Sequence, residues 1–258
     1  MIQKAKAIVL KRMDFRETSI ICTFYTLEFG KIKGILKGIR TDPKKFASRL
    51  EIMSLNEIIF YPSKNSDLHL VSAADLLNNY DSLRNNLHLV ATFSYFSDLV
   101  DALMPTEDKN EEIFEILQSS LKELDNSSVN PDKILAIFQI KALSSSGFKP
   151  HLDSCVICSG PLDYQVRFSN ALGGLLCQKC SAKDKQSRSI FRGTIASILH
   201  IQKNNWENLL RLGLHPQVKQ ELKIILSNFI EFHLEKRLKR SEERRVGKEC
   251  RSRWSPYH

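Results

Sequence analysis

The chain has 258 residues, 42% hydrophobic and 26% charged, enough to build one larger domain or two to three small ones around a real core. No apolar run approaches the length needed to span a bilayer and no leader precedes the first patterned segment, so a cytoplasmic protein without a membrane partner is expected. The formal charge of +9 is divided unevenly: residues 1–50 carry 12 Lys/Arg against 4 Asp/Glu, residues 51–150 carry 7 against 15, and residues 151–240 carry 14 against 7. A positive front and rear suit a polyanionic partner, although solvated charge on unrelated faces produces the same totals.

From Ala5 to Ala73 the pattern is β. Ala5, Ala7 and Val9 alternate with their neighbours, and Thr18 to Thr26 is rich in β-branched and aromatic residues. Glu28 to Lys31 turns the chain into KIKGILKGI, which reads as a strand with one wet, basic face. Glu51 to Tyr61 and Leu68 to Ser72 supply further strands. Five short strands without intervening helical periodicity predict a small closed barrel. Its cations concentrate at Lys31, Lys33, Lys37, Arg40, Lys44, Lys45 and Arg49, opposed within that stretch only by Asp42. Arginine and lysine on a small barrel beside a loop are what single-strand binding uses, and solvated loop charge is the competing reading. Phe46, in the same connection, either offers a base-stacking surface or anchors the loop.

Helical periodicity follows Asp75. Leu83, Leu87, Val90, Tyr95, Leu99 and Leu103 form a stripe thickened by Ala91, Phe93, Phe96 and Val100, which predicts a helix at the centre of a bundle. Pro105 ends it, and a second helix opens on acidic residues from Glu107, with Ile113, Leu117, Leu121 and Leu124 inward. Pro131 starts a third, burying Leu135, Phe138 and Ala142 and stopping at Gly147. Further on, Ser189 to Gln202 reads as a helix, Trp206 to Leu214 as a turn and a short helix, and Pro216 starts a long one along Val218, Leu222, Ile225, Leu226, Phe229 and Phe232 or His233.

Between these helical stretches lie Cys155 and Cys158, then Cys177 and Cys180, two CxxC pairs separated by eighteen residues. Each pair can clamp two corners of one tetrahedral ion, so a single structural Zn2+ is expected. Four thiolates leave no open position for water or substrate, which argues against a catalytic metal. Gly160 and Pro161 turn the chain after the first pair, and Gly173 and Gly174 loosen it before the second. His151 precedes Cys155 but is not needed as a ligand. Cys22 reads as a small buried hydrophobe. The sequence lacks a P-loop, GxGxxG, HExxH or GxSxG motif, and its carboxylates define no cleft, so no enzyme is expected and no catalytic residue is assigned.

The order KAIVLKRMDFRETSIICTFYTLEFGKIKGILKGIR, LNNYDSLRNNL, GFKPHLDSCVICSG, GGLLC and FIEFHLEKRLK resembles the RecO family of bacterial recombination mediators over Met1 to about Lys239. The resemblance implies an α+β protein: an N-terminal OB-fold β-barrel followed by a mostly helical domain containing a four-cysteine zinc module. Boundaries follow at 1–80 for the barrel, 81–150 and 187–240 for the two parts of the helical domain, and 151–186 for the zinc module. Residues 241–258 lose the pattern and are read as a non-native or disordered tail.

The resemblance further implies binding of single- and double-stranded DNA, annealing of complementary strands, and partnership with a RecR-like protein and the single-stranded-DNA-binding protein. It also implies a recombinase acting downstream and a nucleoid-associated place in the cytoplasm. Thr26, Gly30 and Lys31 fall on the family's threonine and glycine-lysine turn, and Gly38 and Arg40 on its glycine-basic segment. Lys44, Lys45, Phe46 and Arg49 fall in its basic loop, and the four cysteines on its metal ligands. Ser159 stands where the family commonly has glycine, so the first knuckle is expected to turn one residue later. The alternative function is an adaptor whose positive surfaces bind acidic protein tails, with incidental DNA contact.

Overall fold

The computed structural model describes residues 1–42, 46–126, 129–234 and 238. They divide into two compact units, the first comprising the described residues up to 126 together with Leu238 and the second residues 129–234. The first contains five strands, β1 (Gln3–Phe15), β2 (Ser19–Thr26), β3 (Gly30–Leu36), β4 (Leu55–Tyr61) and β5 (Leu68–Asn78), with helices α1 (Asp81–Arg84), α2 (Leu87–Leu103) and α3 (Glu111–Asp125). The second contains α4 (Pro131–Ser145), a small sheet of β6 (Arg167–Ser169), β7 (Gly174–Leu176) and β8 (Arg188–Ser189), and helices α5 (Arg192–Lys203), α6 (Trp206–Arg211) and α7 (Pro216–Leu234).

The strands close in the order β1-β2-β3-β5-β4, with β4 pairing back to β1. All neighbours are antiparallel except β3 and β5. Alternation dictates the inside: Ala7, Val9, Ile20, Cys22, Phe24, Ile32, Ile58, Phe60 and Val71 form one buried cluster. Gly34 is small because a side chain there would meet Val71 and Phe24. Near residue 10 the register of β1 shifts against β2, a bulge that leaves the Leu10 carbonyl to accept a hydrogen bond from Ser97 of α2 at 2.5 Å.

Several boundaries differ from expectation: β4 starts at Leu55 and not at Glu51, and α3 at Glu111 and not at Glu107. Strand β5 continues to Asn78 because Ala74, Asp75, Leu76 and Asn78 keep pairing with β4, past the expected end at Ser72 and the expected onset of helix after Asp75. The segment from Arg188 to Ser189 is a strand against β6, and α5 starts only at Arg192.

Helix α2 is apolar around much of its girth for a reason other than the one expected. It packs in the barrel's own unit, against β1 on one side and α1 and α3 on others, and not at the centre of a separate bundle. Leu83 lies in α1 and Leu87 begins α2, half exposed, so the two do not share a helical stripe. Asn86, Asn110 and Asn130 cap α2, α3 and α4 through their side chains. In α3, Ile113, Leu117, Leu121 and Leu124 are buried as their spacing requires.

In the second unit, α4 packs against α5 and α7, burying Leu135, Phe138 and Ala142. Gly147 stops α4 at φ +86°, the left-handed region. At the end of α7 it is His233 that turns inward: its ring lies 4.2 Å from Phe229 and its Nε2 is 3.0 Å from the Asn170 carbonyl, while Phe232 is exposed.

Candidate nucleic-acid interface and metal centre

The cations read from residues 31–49 separate into distinct environments once folded. Lys33 projects from the outer face of β3, and Lys37, Arg40 and Arg49 are likewise exposed. Arg40 is held in place: its guanidinium donates to the Arg16 carbonyl at 2.9 Å and lies 3.6 Å from the Asp14 carboxylate. Its backbone N–H donates to the Thr18 carbonyl, so the turn around Gly38, at φ +79°, is tied to the β1–β2 hairpin. Lys44 and Lys45 lie outside the described residues.

Lys31 does not belong to the wet face. Its Nζ donates to the Asp101 carbonyl at 2.7 Å and to the Asp101 carboxylate at 3.2 Å, while Lys11 reaches the same carboxylate at 2.5 Å. Partial burial works to raise the Asp101 carboxyl, but the two ammonium groups prevail and hold it below the usual carboxylate range. The Thr26, Gly30 and Lys31 turn therefore acts as a socket. Thr26 Oγ1 accepts from the Phe29 N–H and donates to the Gly30 carbonyl. Lys31 pairs its backbone with Thr106 and Glu107, and Gly30, at φ +66°, presses on the Asp108 carbonyl. Periodicity could not reveal this, because the partners lie about seventy residues downstream, at the end of α2 and in the segment read as the start of the next helix.

Phe46 requires a correction as a stacking residue. Only 5% exposed, it joins Leu50 in the barrel core and has no face open to a base. The cause is the polar seating of its segment: the Ser48 backbone N–H donates to the Ala74 carbonyl, and Ser48 Oγ donates to Asn56 Oδ1 and accepts from the Leu50 N–H. A loop residue next to such a buried network becomes a plug for the barrel end.

In the second unit the four cysteines come together as their spacing requires. Their Sγ atoms all lie within 4.8 Å of one another, and Cys158 and Cys177 Sγ are 3.8 Å apart. A tetrahedral ion with metal–sulfur bonds of about 2.3 Å demands sulfur separations of about 3.8 Å, so the donor set fits one closed thiolate site. Burial acts to raise the Cys155 thiol, but the backbone N–H groups of Cys158, Cys177 and Ile157 and the neighbouring thiol bring it down to about 6. Desolvation and the three competing sulfurs push Cys180 the other way. Between them, then, the thiols favour a thiolate that a cation can take up.

The first knuckle turns at Ser159 itself, which takes φ +54°, and not one residue later as expected. The Ser159 N–H donates to the Cys155 carbonyl at 2.8 Å and the Cys155 N–H donates to the Gly160 carbonyl at 3.0 Å, closing the turn. Before the second pair, Gly173 takes φ +70°, and any side chain at Gly174 would strike the His151 backbone. His151 bridges to this hairpin and places Nε2 2.7 Å from Ser154 Oγ, outside the sulfur cluster.

Fold and site together define a class: a five-stranded OB-type barrel with exposed cations, joined in one chain to a helical unit that carries a closed thiolate clamp. Two family models match the chain, "Recombination protein O N terminal" over residues 1–80 and "Recombination protein O C terminal" over residues 84–242. Among curated proteins, the DNA repair protein RecO of Syntrophus aciditrophicus (strain SB) is 33% identical over 242 residues, 92% of each chain. The RecO proteins of Dehalococcoides mccartyi (strain ATCC BAA-2100 / JCM 16839 / KCTC 5957 / BAV1) and Desulfatibacillum aliphaticivorans are 30% and 28% identical, over 90% and 89% of this chain and 91% of each of theirs. The chain belongs to the RecO family. It is accordingly a non-catalytic mediator of DNA repair and recombination.

Proposed function

We propose that the protein binds single- and double-stranded DNA through the barrel, anneals complementary strands and helps load a recombinase onto protein-coated single strands. Lys33, Lys37, Arg40 and Arg49 on one barrel carry this reading, with Lys44 and Lys45 in the adjoining connection. Such a set neutralises phosphates and releases counterions without reading sequence, which is what bringing two arbitrary strands together requires. Phe46 and Lys31 support the surface from within. A RecR-like protein, the single-stranded-DNA-binding protein and the recombinase are the partners that family membership suggests, in a nucleoid-associated cytoplasmic setting. No helix among the described residues is long and apolar enough to cross a membrane.

The ion proposed for Cys155, Cys158, Cys177 and Cys180 is a single Zn2+, which suits four thiolates in a closed tetrahedral shell and would supply folding energy, not reactivity. Strand annealing of fluorescent complementary oligonucleotides, with and without single-strand-binding protein, tests the function. The expected result is faster annealing that weakens with salt. Replacing Lys33, Arg40 and Arg49 with glutamate should reduce DNA affinity and flatten its salt dependence. Wild-type protein that leaves annealing at the spontaneous rate at low and moderate salt would refute the proposal, and binding only to an acidic peptide would favour the adaptor function.

A further inference from the structure

The four sulfurs of the cysteine site are not equally sheltered. Cys155 is wholly buried and Cys177 only 5% exposed, while Cys180 is half-buried and Cys158 is exposed. Cys155 also takes the backbone N–H groups of Cys158, Cys177 and Ile157, which engage its lone pairs. Cys158 is left open by its own knuckle. Gly160 stands beside that sulfur without a side chain, and a β-carbon there would lie 3.3 Å from Cys158 Sγ. The turn does not demand glycine at this position, since it is Ser159 that takes the left-handed φ of +54°. A closed site serving stability alone gains nothing from one open sulfur, whereas access is what makes a cysteine reactive.

The open sulfur faces a partner on the other knuckle. Cys158 Sγ lies 3.8 Å from Cys177 Sγ, and a disulfide needs about 2 Å, a gap within the reach of side-chain rotation. Resting on the metal-site reading above, we propose that Cys158 is a modification site for hydrogen peroxide, and that its oxidation exchanges the ion for a Cys158–Cys177 disulfide. The Cys158 thiolate attacks one peroxide oxygen, the O–O bond breaks, and the sulfur becomes a sulfenic acid as hydroxide leaves. The Cys177 thiolate then attacks that sulfur, the S–O bond breaks, and a second hydroxide leaves. Protons from solvent turn both hydroxides into water, so the sulfur pair is oxidised by two electrons and the peroxide is reduced to water. The ion loses half of its ligands, one from each knuckle. Because the new bond ties one knuckle to the other, the module keeps a clamp after the ion has gone, and a dithiol reverses the exchange.

The test treats full-length protein of measured metal content with hydrogen peroxide, in the presence of a chromophoric chelator too weak to strip the untreated protein. Metal release should accompany a Cys158–Cys177 cross-link in peptide mass spectrometry, with Cys22, buried in the barrel, remaining a thiol. Residues 151–190 should keep their amide protection in the oxidised, metal-free protein and lose it when a dithiol is added, whereas a strong chelator alone removes it. Gly160→Ala retains all four ligands and should hold metal as wild type does, but release it several-fold more slowly under peroxide. A bond within one knuckle, Cys155–Cys158 or Cys177–Cys180, overturns the inference, as does oxidation of Cys22 first. Equal release rates in wild type and metal-loaded Gly160→Ala, or lost protection on oxidation, also overturn it, and the mapping and exchange measurements decide even where that variant holds no metal. If wild-type protein holds no ion as purified or after reconstitution with Zn2+, the metal-site reading fails and the inference with it.

Discussion

Ser159 shows how much one side chain costs in the wrong region of backbone space. It closes the first metal knuckle at φ +54°, where a β-carbon crowds the following carbonyl. Glycine removes that penalty and loses part of the gain to its greater freedom in the unfolded chain. Ser159→Gly should therefore stabilise the second unit by about 0.5–1 kcal/mol. Competition with a chromophoric chelator should show slower metal loss, and a slight rise in melting temperature should accompany it. The cysteines themselves were legible from spacing alone, since two CxxC pairs constrain geometry whatever surrounds them. The conformation of Ser159 was not, because a residue's φ depends on the hydrogen bonds that close around it, here between Cys155 and both Ser159 and Gly160. Phe46 was ambiguous for a similar reason, its burial being decided by the bonds that neighbouring Ser48 makes to Asn56 of β4 and Ala74 of β5.

Among elements, the β2–β3 turn illustrates what a strand pattern conceals. Alternation located β1 to β3, the body of β4 and the start of β5, Pro105 and Gly147 marked the ends of α2 and α4, and Pro131 and Pro216 the starts of α4 and α7. It did not show that the turn is a docking socket for the connection between α2 and α3. A β-carbon on Gly30 would stand 2.0 Å from the Asp108 carbonyl oxygen at a φ of +66°. Gly30→Ala should cost about 3 kcal/mol or more, a loss that thermal denaturation would register clearly. The same socket makes the first unit sensitive to acid. Asp101 is held below its ordinary carboxyl range by Lys11 and Lys31, against the opposing effect of burial. A depressed carboxyl contributes stability that is complete above the unfolded value of about 3.9 and is lost as pH falls through the folded value. Asp101→Asn should remove about 2 kcal/mol at neutral pH and flatten that acid limb, which melting temperatures measured between neutral and strongly acidic pH would reveal.

The whole molecule assigns its tasks to separate compact units. The cations proposed for nucleic acid, Lys33, Lys37, Arg40 and Arg49, lie on the barrel of the first, whereas the four sulfurs lie in the second. Family models divide the sequence after residue 80, but α1, α2 and α3 belong with the barrel because Ser97 and Asp101 of α2 bind Leu10, Lys11 and Lys31. Metal removal should consequently act on one unit first. The sulfur site joins the Cys155 knuckle to the β6–β7 hairpin, whose Phe168 packs 6.0 Å from Phe229 of α7. Without an ion the four thiols lose their common partner, and the small cluster of Cys155, Leu176 and Cys177 has little other apolar area to hold it. Cys177→Ser, or treatment with a strong chelator, should lower metal content and expose residues 151–190 to rapid amide exchange. The amides of β1 to β5 should keep their protection, and oligonucleotide affinity should fall only as far as the folded fraction does. Full metal occupancy with unchanged melting in Cys177→Ser would contradict the clamp, and loss of DNA binding from folded, metal-free protein would place part of the nucleic-acid surface on the cysteine module.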